Sequence, residues 1–396
     1  MGIRPYRKGE FIMKKKILSL ALAFTMVTGC GEKSKEKEHF FSQTTSYKGV
    51  YENGMIYPSG LEPNKVQNFL DFTSLKKSVF CAVPNCTHSP SSGECLSRLV
   101  GEHPVLIGDS VYYFTVNGAH GSGEVVNTPD GPEFVMESKL MRASLDASVT
   151  ETVCEFTDAL IRIWGDYVVL DNMLYFLAYD PDPKFDGMGG ASWGSGGGYD
   201  FLCSVNLDTG EYKNYGSICY VEDEYPSADN SSGANLAGWY DGKLWLTYSF
   251  MKEEPIIDVE NPENSYHPPF TTYTFEFDPE TEQYTKRDDM PEPLTIEDGY
   301  MIYRETDDGL FKAMKDGKVY ETYTNNYESV VNGKCCSSAF EGPAQWVTLG
   351  EDTIHTIGGE YEGYYIVAYH DGKYVLFNDK EAVKLTEEEL IALDAE

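Results

Sequence analysis

Residues Tyr199–Tyr215, YDFLCSVNLDTGEYKNY, read as two strands joined by the turn Asp208-Thr209-Gly210. Aromatic and aliphatic residues run up to the turn and resume after it, and Gly supplies the positive φ that a tight reversal needs. The unit recurs: Phe277-Asp278-Pro279-Glu280-Thr281-Glu282 repeats the turn, and Asp316-Gly317-Lys318-Val319-Tyr320 shortens it. The chain therefore reads as copies of a hairpin.

Working outward, strand-rich units of one layout follow each other from Tyr47: an apolar run, a turn with Gly or Asp, an aromatic run, a variable insert, then a closing hairpin. Complete units run from Val105 to Phe156, Leu160 to Tyr215 and Leu236 to Arg287, with shorter ones at Leu294–Tyr323, Tyr327–Ile357 and Tyr361–Leu385 and a partial one at Tyr47–Phe80. An aromatic content of 14% with 29 tyrosines favours strand over helix throughout. Four-stranded units repeated radially are how a β-propeller protects its sheet edges, so the expected fold is all-β, a propeller of six or seven blades over residues 47–385. The count turns on whether Tyr327–Leu385 is one blade or two, and seven is adopted; a pair of β-sandwiches or an irregular barrel would carry the same strand spacing. Beyond the last strand, Thr386-Glu387-Glu388-Glu389 fits a capping box that opens a short terminal helix over 386–396.

The N-terminus carries an address. Lys14-Lys15-Lys16, the apolar run Ile17–Val27 and the site Val27-Thr28-Gly29-Cys30 form a signal segment that resembles the lipobox of bacterial lipoprotein precursors. The resemblance implies removal of residues 1–29, acylation of Cys30, and display on the extracellular face of the cell membrane through a lipid anchor. An ordinary secretory signal is the alternative. Residues 1–12 read as a misplaced start, because Lys8-Gly9-Glu10 can be encoded as a ribosome-binding site just ahead of Met13. Residues 30–46 are polar and read as a flexible tether. The formal charge is −33, and residues 1–29 hold six of the Lys and Arg but only one Glu, so the remainder is more acidic still. Nucleic acid and anionic headgroups are excluded as partners on that charge.

Cys81, Cys86, His88 and Cys95 place three thiols and an imidazole on one loop, with Pro84 and Gly93 expected to let it fold back. Three thiolates and one imidazole are a structural zinc complement with no open position for catalysis. An oxidised clasp, Cys86 with Cys95, is the competing reading for an exported domain. Cys335 and Cys336 are expected on opposite faces of a strand, and Cys154, Cys203 and Cys219 as small buried hydrophobes. Gly190-Ala191-Ser192-Trp193-Gly194 matches a nucleophile-elbow string but lacks the strand before and the helix after that would strain the serine, and Trp193 is the tryptophan expected at the surface. Asp180, Asp182 and Asp186 fall short of a calcium loop because prolines interrupt the pattern.

Taken with the lipobox and the Tyr-rich repeats, the C-x4-C-x-H-x6-C loop resembles the uncharacterised β-propeller lipoproteins of Gram-positive bacteria. No activity comes with that resemblance. The functional expectation is a non-catalytic, membrane-anchored propeller that binds an extracellular protein, peptide or glycan through the inserts at one end. The alternative is a glycan- or peptide-degrading enzyme with acidic residues converging at the propeller centre.

Overall fold

The computed structural model describes residues 49–51, 53–59, 66–89, 95–100, 104–116, 124–128, 131–135, 138–156, 160–161, 167–181, 198–218, 233–251, 270–305, 309–322, 329–337 and 343–393. Blade 1 comprises β1 (Gly49–Tyr51), β2 (Gly54–Ser59), β3 (Val66–Asp71) and β4 (Lys77–Val79). Blade 2 comprises β5 (Val105–Ile107) and β6 (Ser110–Val116), then, after a separate hairpin of β7 (Glu124–Thr128) and β8 (Gly131–Val135), β9 (Ser138–Ser144) and β10 (Thr150–Phe156). In blade 3 the short β11 (Leu160–Ile161) and β12 (Val168–Leu170) both pair with β13 (Met173–Pro181), followed by β14 (Gly198–Asn206) and β15 (Tyr212–Ser217). Blade 4 is β16 (Gly233–Tyr240), β17 (Lys243–Met251), β18 (Phe270–Asp278) and β19 (Gln283–Lys286). Blade 5 is β20 (Pro293–Glu297), β21 (Tyr300–Arg304), β22 (Phe311–Lys315) and β23 (Lys318–Glu321). Blade 6 is β24 (Ser329–Val331), β25 (Lys334–Cys336), β26 (Gln345–Thr348) and β27 (Ile354–Thr356), and blade 7 is β28 (Tyr365–His370), β29 (Lys373–Phe377) and β30 (Ala382–Leu385).

All pairings are antiparallel. The first strands neighbour one another around a ring, β16 beside β20, β20 beside β24 and β24 beside β28, and β28 returns to β1. The fold is thus a seven-bladed propeller. Tyr327–Leu385 is two blades, and the unit at Tyr47–Phe80, read as partial, is a full four-stranded sheet. Seven separate small sheets also set aside the sandwich and barrel alternatives.

Two turns repeat with their own chemistry. First and second strands are joined by two-residue reversals, Asp241-Gly242, Asp298-Gly299, Asn332-Gly333 and Asp371-Gly372, with φ near +50° at the first residue and +71° to +78° at the glycine. That pair of positive φ values matches the right-handed twist of the flanking strands. In blade 5 the third and fourth strands are joined by the same two-residue reversal, Asp316-Gly317, whereas in blades 1, 3 and 4 they are joined by a longer one, in which Leu75, Gly210 and Glu282 sit at φ 55°, 71° and 57°. Their N–H groups donate to the carbonyls of Asp71, Asn206 and Asp278 at 2.8, 2.8 and 2.7 Å. The side chains of Asp71, Asn206 and Asp278 also accept the N–H of Ser74, Asp208 and Glu280 at 2.6, 3.0 and 2.9 Å. The Asx side chain at the strand end therefore sets this turn, which accepts Leu or Glu at the left-handed position; at Gly210 glycine is required by the neighbouring strand, because a Cβ there would collide with Val153 O.

The antiparallel order fixes which connections share an end. Tight turns joining strands 1–2 and 3–4 lie at one end; connections from second to third strand, and from each blade to the next, lie at the other. The long connections 117–137, 182–197 and 252–269 leave and re-enter at this second end, as does the Cys81–Cys95 loop.

Apolar clusters fill the spaces between blades. Phe114, Phe156, Tyr167 and Phe176 join blades 2 and 3, while Tyr248, Phe275 and Phe277 face Tyr175 and Leu202 between blades 3 and 4. Closure relies on the largest cluster, in which Met55, Tyr57, Leu70 and Phe72 of blade 1 pack on Ile366, Val375 and Phe377 of blade 7 and on Trp346 of blade 6. The Tyr57 and Phe377 rings meet edge-on at 4.8 Å, and Thr73 Oγ1 lies 3.4 Å from His370 Nε2. Helix α2 (Glu387–Ala392) buries Leu390 in the same cluster. Its capping box is formed, with Glu389 N–H donating to Thr386 Oγ1 at 3.2 Å and Thr386 N–H to Glu389 Oε2 at 2.8 Å.

Candidate metal centre

After β4 the chain must cross from the rim of blade 1 to the centre of blade 2. Phe80 anchors its departure, and Leu96 and Val100 its return, in an apolar cluster with Leu106, Val111 and Tyr113. Between these anchors the loop is polar, and Val83 is 40% exposed. Apolar burial alone does not fix its path, and hydrogen bonds within the loop contribute, Thr87 Oγ1 donating to Ser89 Oγ at 3.2 Å among them.

The path doubles back at Asn85 and His88, both in the left-handed region at φ 56° and 51°. Gly93, expected to share in this reversal, lies outside the described residues. Cys86 N–H donates to Val83 O at 3.2 Å, and Cys95 precedes the single helical turn α1 (Leu96–Leu99). The sulfurs of Cys81, Cys86 and Cys95 and a ring nitrogen of His88 thereby come within 4.8 Å of one another. His88 Nδ1 stands 3.3 Å from Cys95 Sγ, which identifies the ring nitrogen that faces the sulfurs. His88 N–H donates to Cys86 Sγ at 3.4 Å, and Ser97 Oγ lies 3.0 Å from Cys95 Sγ. Cys95 and Ser97 are buried; Cys81, Cys86 and His88 are half-buried.

Donor chemistry and spacing fit a tetrahedral ion. Ligand sulfurs about a zinc stand about 3.8 Å apart, so closing the set calls for contraction by roughly 1 Å at most. Burial pushes the Cys95 thiol up to about 11, against the lowering effect of its hydrogen bond with Ser97, and neighbouring Cys86 and Cys81 push it the same way as burial. A cation among the three sulfurs reverses that balance by favouring thiolates. Among the described residues this is the one convergent group of three or more His, Cys, Asp or Glu side chains. Among the described residues no disulfide joins any two cysteines, Cys86 and Cys95 included.

The other sequence candidates disperse. Cys335 enters the cluster between blades 5 and 6, while Cys336 enters the closure cluster on the opposite face of β25; burial pushes the Cys335 thiol up to about 12. Cys154 and Cys203 are buried between blades 2 and 3. Trp245 and Trp346 are core residues, and His355 stacks on Trp346 at 4.0 Å. Cys30, Cys219, Ser192, Trp193, Asp182 and Asp186 lie outside the described residues, as does the side chain of Asp180.

Sequence reasoning missed Lys334. Its ammonium lies inside the fold, donating to Glu387 Oε1 of α2 at 2.7 Å and Thr348 Oγ1 at 3.0 Å, and standing 4.4 Å from the Trp346 ring centroid. A lysine after Asn-Gly reads as a solvated turn residue, and nothing local to it signals burial.

No protein-family model matches the chain, and no curated protein does. Several solved structures are similar to this chain. An oligogalacturonate lyase in complex with manganese is 12% identical, with a TM-score of 0.38 over 76% of this chain and 74% of its own. An acylaminoacyl peptidase is 11% identical, with a TM-score of 0.45 over 88% of this chain but only 52% of its own. The β-propeller domain of the Trilobed protease from Pyrococcus furiosus is 12% identical, with a TM-score of 0.34 over 72% of this chain and 82% of its own.

Proposed function

We propose that this protein is a lipid-anchored, extracellular binding propeller that engages a protein, peptide or glycan without catalysis, and that its Cys81, Cys86, His88 and Cys95 hold one structural zinc. The supporting observation is the segregation of connections: tight Asx-Gly and Asx turns at one end, long inserts and the Cys/His loop at the other. Recognition surfaces are built from variable loops on a rigid frame, so the insert end is the binding end. Zinc there serves the frame. Three thiolates and an imidazole complete a tetrahedron, leaving no position for a substrate or an activated water.

Replacing Cys30 with Ala is expected to release the protein from membranes into the medium; continued membrane association would count against the anchor. For the binding end, photo-crosslinkers placed at 182–197 and 252–269 should capture a surface partner or glycan that crosslinkers at Asp241-Gly242 and Asp298-Gly299 do not. Equal capture from both ends, or turnover of the captured glycan or peptide, would overturn the reading.

A further inference from the structure

We propose that Ser97 is a positioning residue of the metal centre, holding Cys95 as a ligand by donating its hydroxyl proton to Sγ. This rests on reading the cluster as a metal site. Three thiolates around a divalent ion leave a net charge of about −1, and such sites depend on N–H and O–H donors to their sulfurs. Cys81 and Cys86 are half-buried and within reach of water, and Cys86 also receives the His88 N–H at 3.4 Å. Cys95 is only 1% exposed, so its donor must come from the protein. Ser97 supplies it. Its Oγ is 3.0 Å from Cys95 Sγ, and its side chain, also 1% exposed, makes no other hydrogen bond among the described residues. Between a thiol and a hydroxyl either group can donate; once the sulfur is a metal-bound thiolate only Ser97 can. A hydroxyl kept dry with one partner, on the sulfur least served by solvent, is placed to retain the metal.

The test compares Ser97→Thr with Ser97→Val in the full chain, since these share a shape and differ in the donor. Zinc transfer to a chromogenic chelator and the sulfur-to-metal charge-transfer band of the cobalt(II) form are the readouts. Ser97→Val is expected to release zinc roughly tenfold faster than wild type and to shift the cobalt band, while Ser97→Thr stays near wild type in both. If wild type retains metal and the two variants behave alike, the role of Ser97 is refuted while the metal centre stands. Should wild type take up neither zinc nor cobalt, both fall together.

Discussion

Lys334 is the residue whose environment departs furthest from its local sequence. With a side chain 2% exposed, it ties β25 to α2 through Glu387, itself 57% exposed, and lays its ammonium against Trp346 and Tyr374. A charge-assisted hydrogen bond and two ring contacts offset its desolvation, and its methylenes pack in the seam between blades 6 and 7. Lys334→Met, which keeps the stem and drops the charge, should cost about 1–3 kcal/mol in denaturant unfolding, with Lys334→Ala costing more because packing is lost as well. Equal effects of the two would mean that the charge alone matters. Gly238 is the second such residue. It holds φ +139°, and a Cβ there would stand 2.8 Å from Ile296 Cβ, where the first strands of blades 4 and 5 approach. Gly238→Ala should therefore destabilise by about 1–3 kcal/mol; an unchanged unfolding midpoint would show that the blades can part at no expense. Neither residue is legible beforehand, because both depend on what an adjacent blade brings to them.

The hairpin is the element that the sequence states most openly. Asp278 closes the β18–β19 reversal by accepting the Glu280 N–H and pairs with Lys243 Nζ at 2.6 Å. That ammonium holds the carboxyl down at about 2, assisted by the backbone donors of the turn. A depressed folded-state value contributes stability above the ordinary carboxylate pKa of about 4, and the contribution is lost as pH falls toward 2. Asp278→Asn should accordingly flatten the acid limb of the stability profile between those values; an unchanged limb would mean that the ion pair is idle in solution. The sequence leaves the blade count open between six and seven, because an Asx-Gly dipeptide does not say which hairpin of a blade it closes: Asn332-Gly333 and Asp371-Gly372 join first and second strands, Asp316-Gly317 third and fourth. The Cys/His loop was legible in its residue types and not in its path. The left-handed turns at Asn85 and His88 bring the donors together, and neither residue type demands that conformation. Chelation should raise hydrogen exchange across 81–100 while blades 4 to 6 keep their protection, whereas uniform loosening would make the metal a global determinant.

At the scale of the whole molecule, the ring closes through side chains of blades 1, 6 and 7, and the Cys/His loop spans the next junction, from blade 1 to blade 2. Blade 1 is thus packed on one flank by the largest apolar cluster and on the other by a smaller cluster with a polar loop above it. A metal cross-link would act on that weaker flank: an ion that binds the folded loop and not the unfolded chain adds its binding free energy to folding. Repetition made the propeller readable, since each blade states the same hairpin; the single, unrepeated loop could be read only as two competing chemistries. Intact-mass measurement of protein prepared without added metal or reductant, first under native and then under denaturing conditions, separates them. One zinc per chain is expected in the native spectrum, lost on denaturation, with Cys81, Cys86 and Cys95 then fully alkylated. A metal-free chain with Cys86 and Cys95 joined in one disulfide-linked peptide would contradict it.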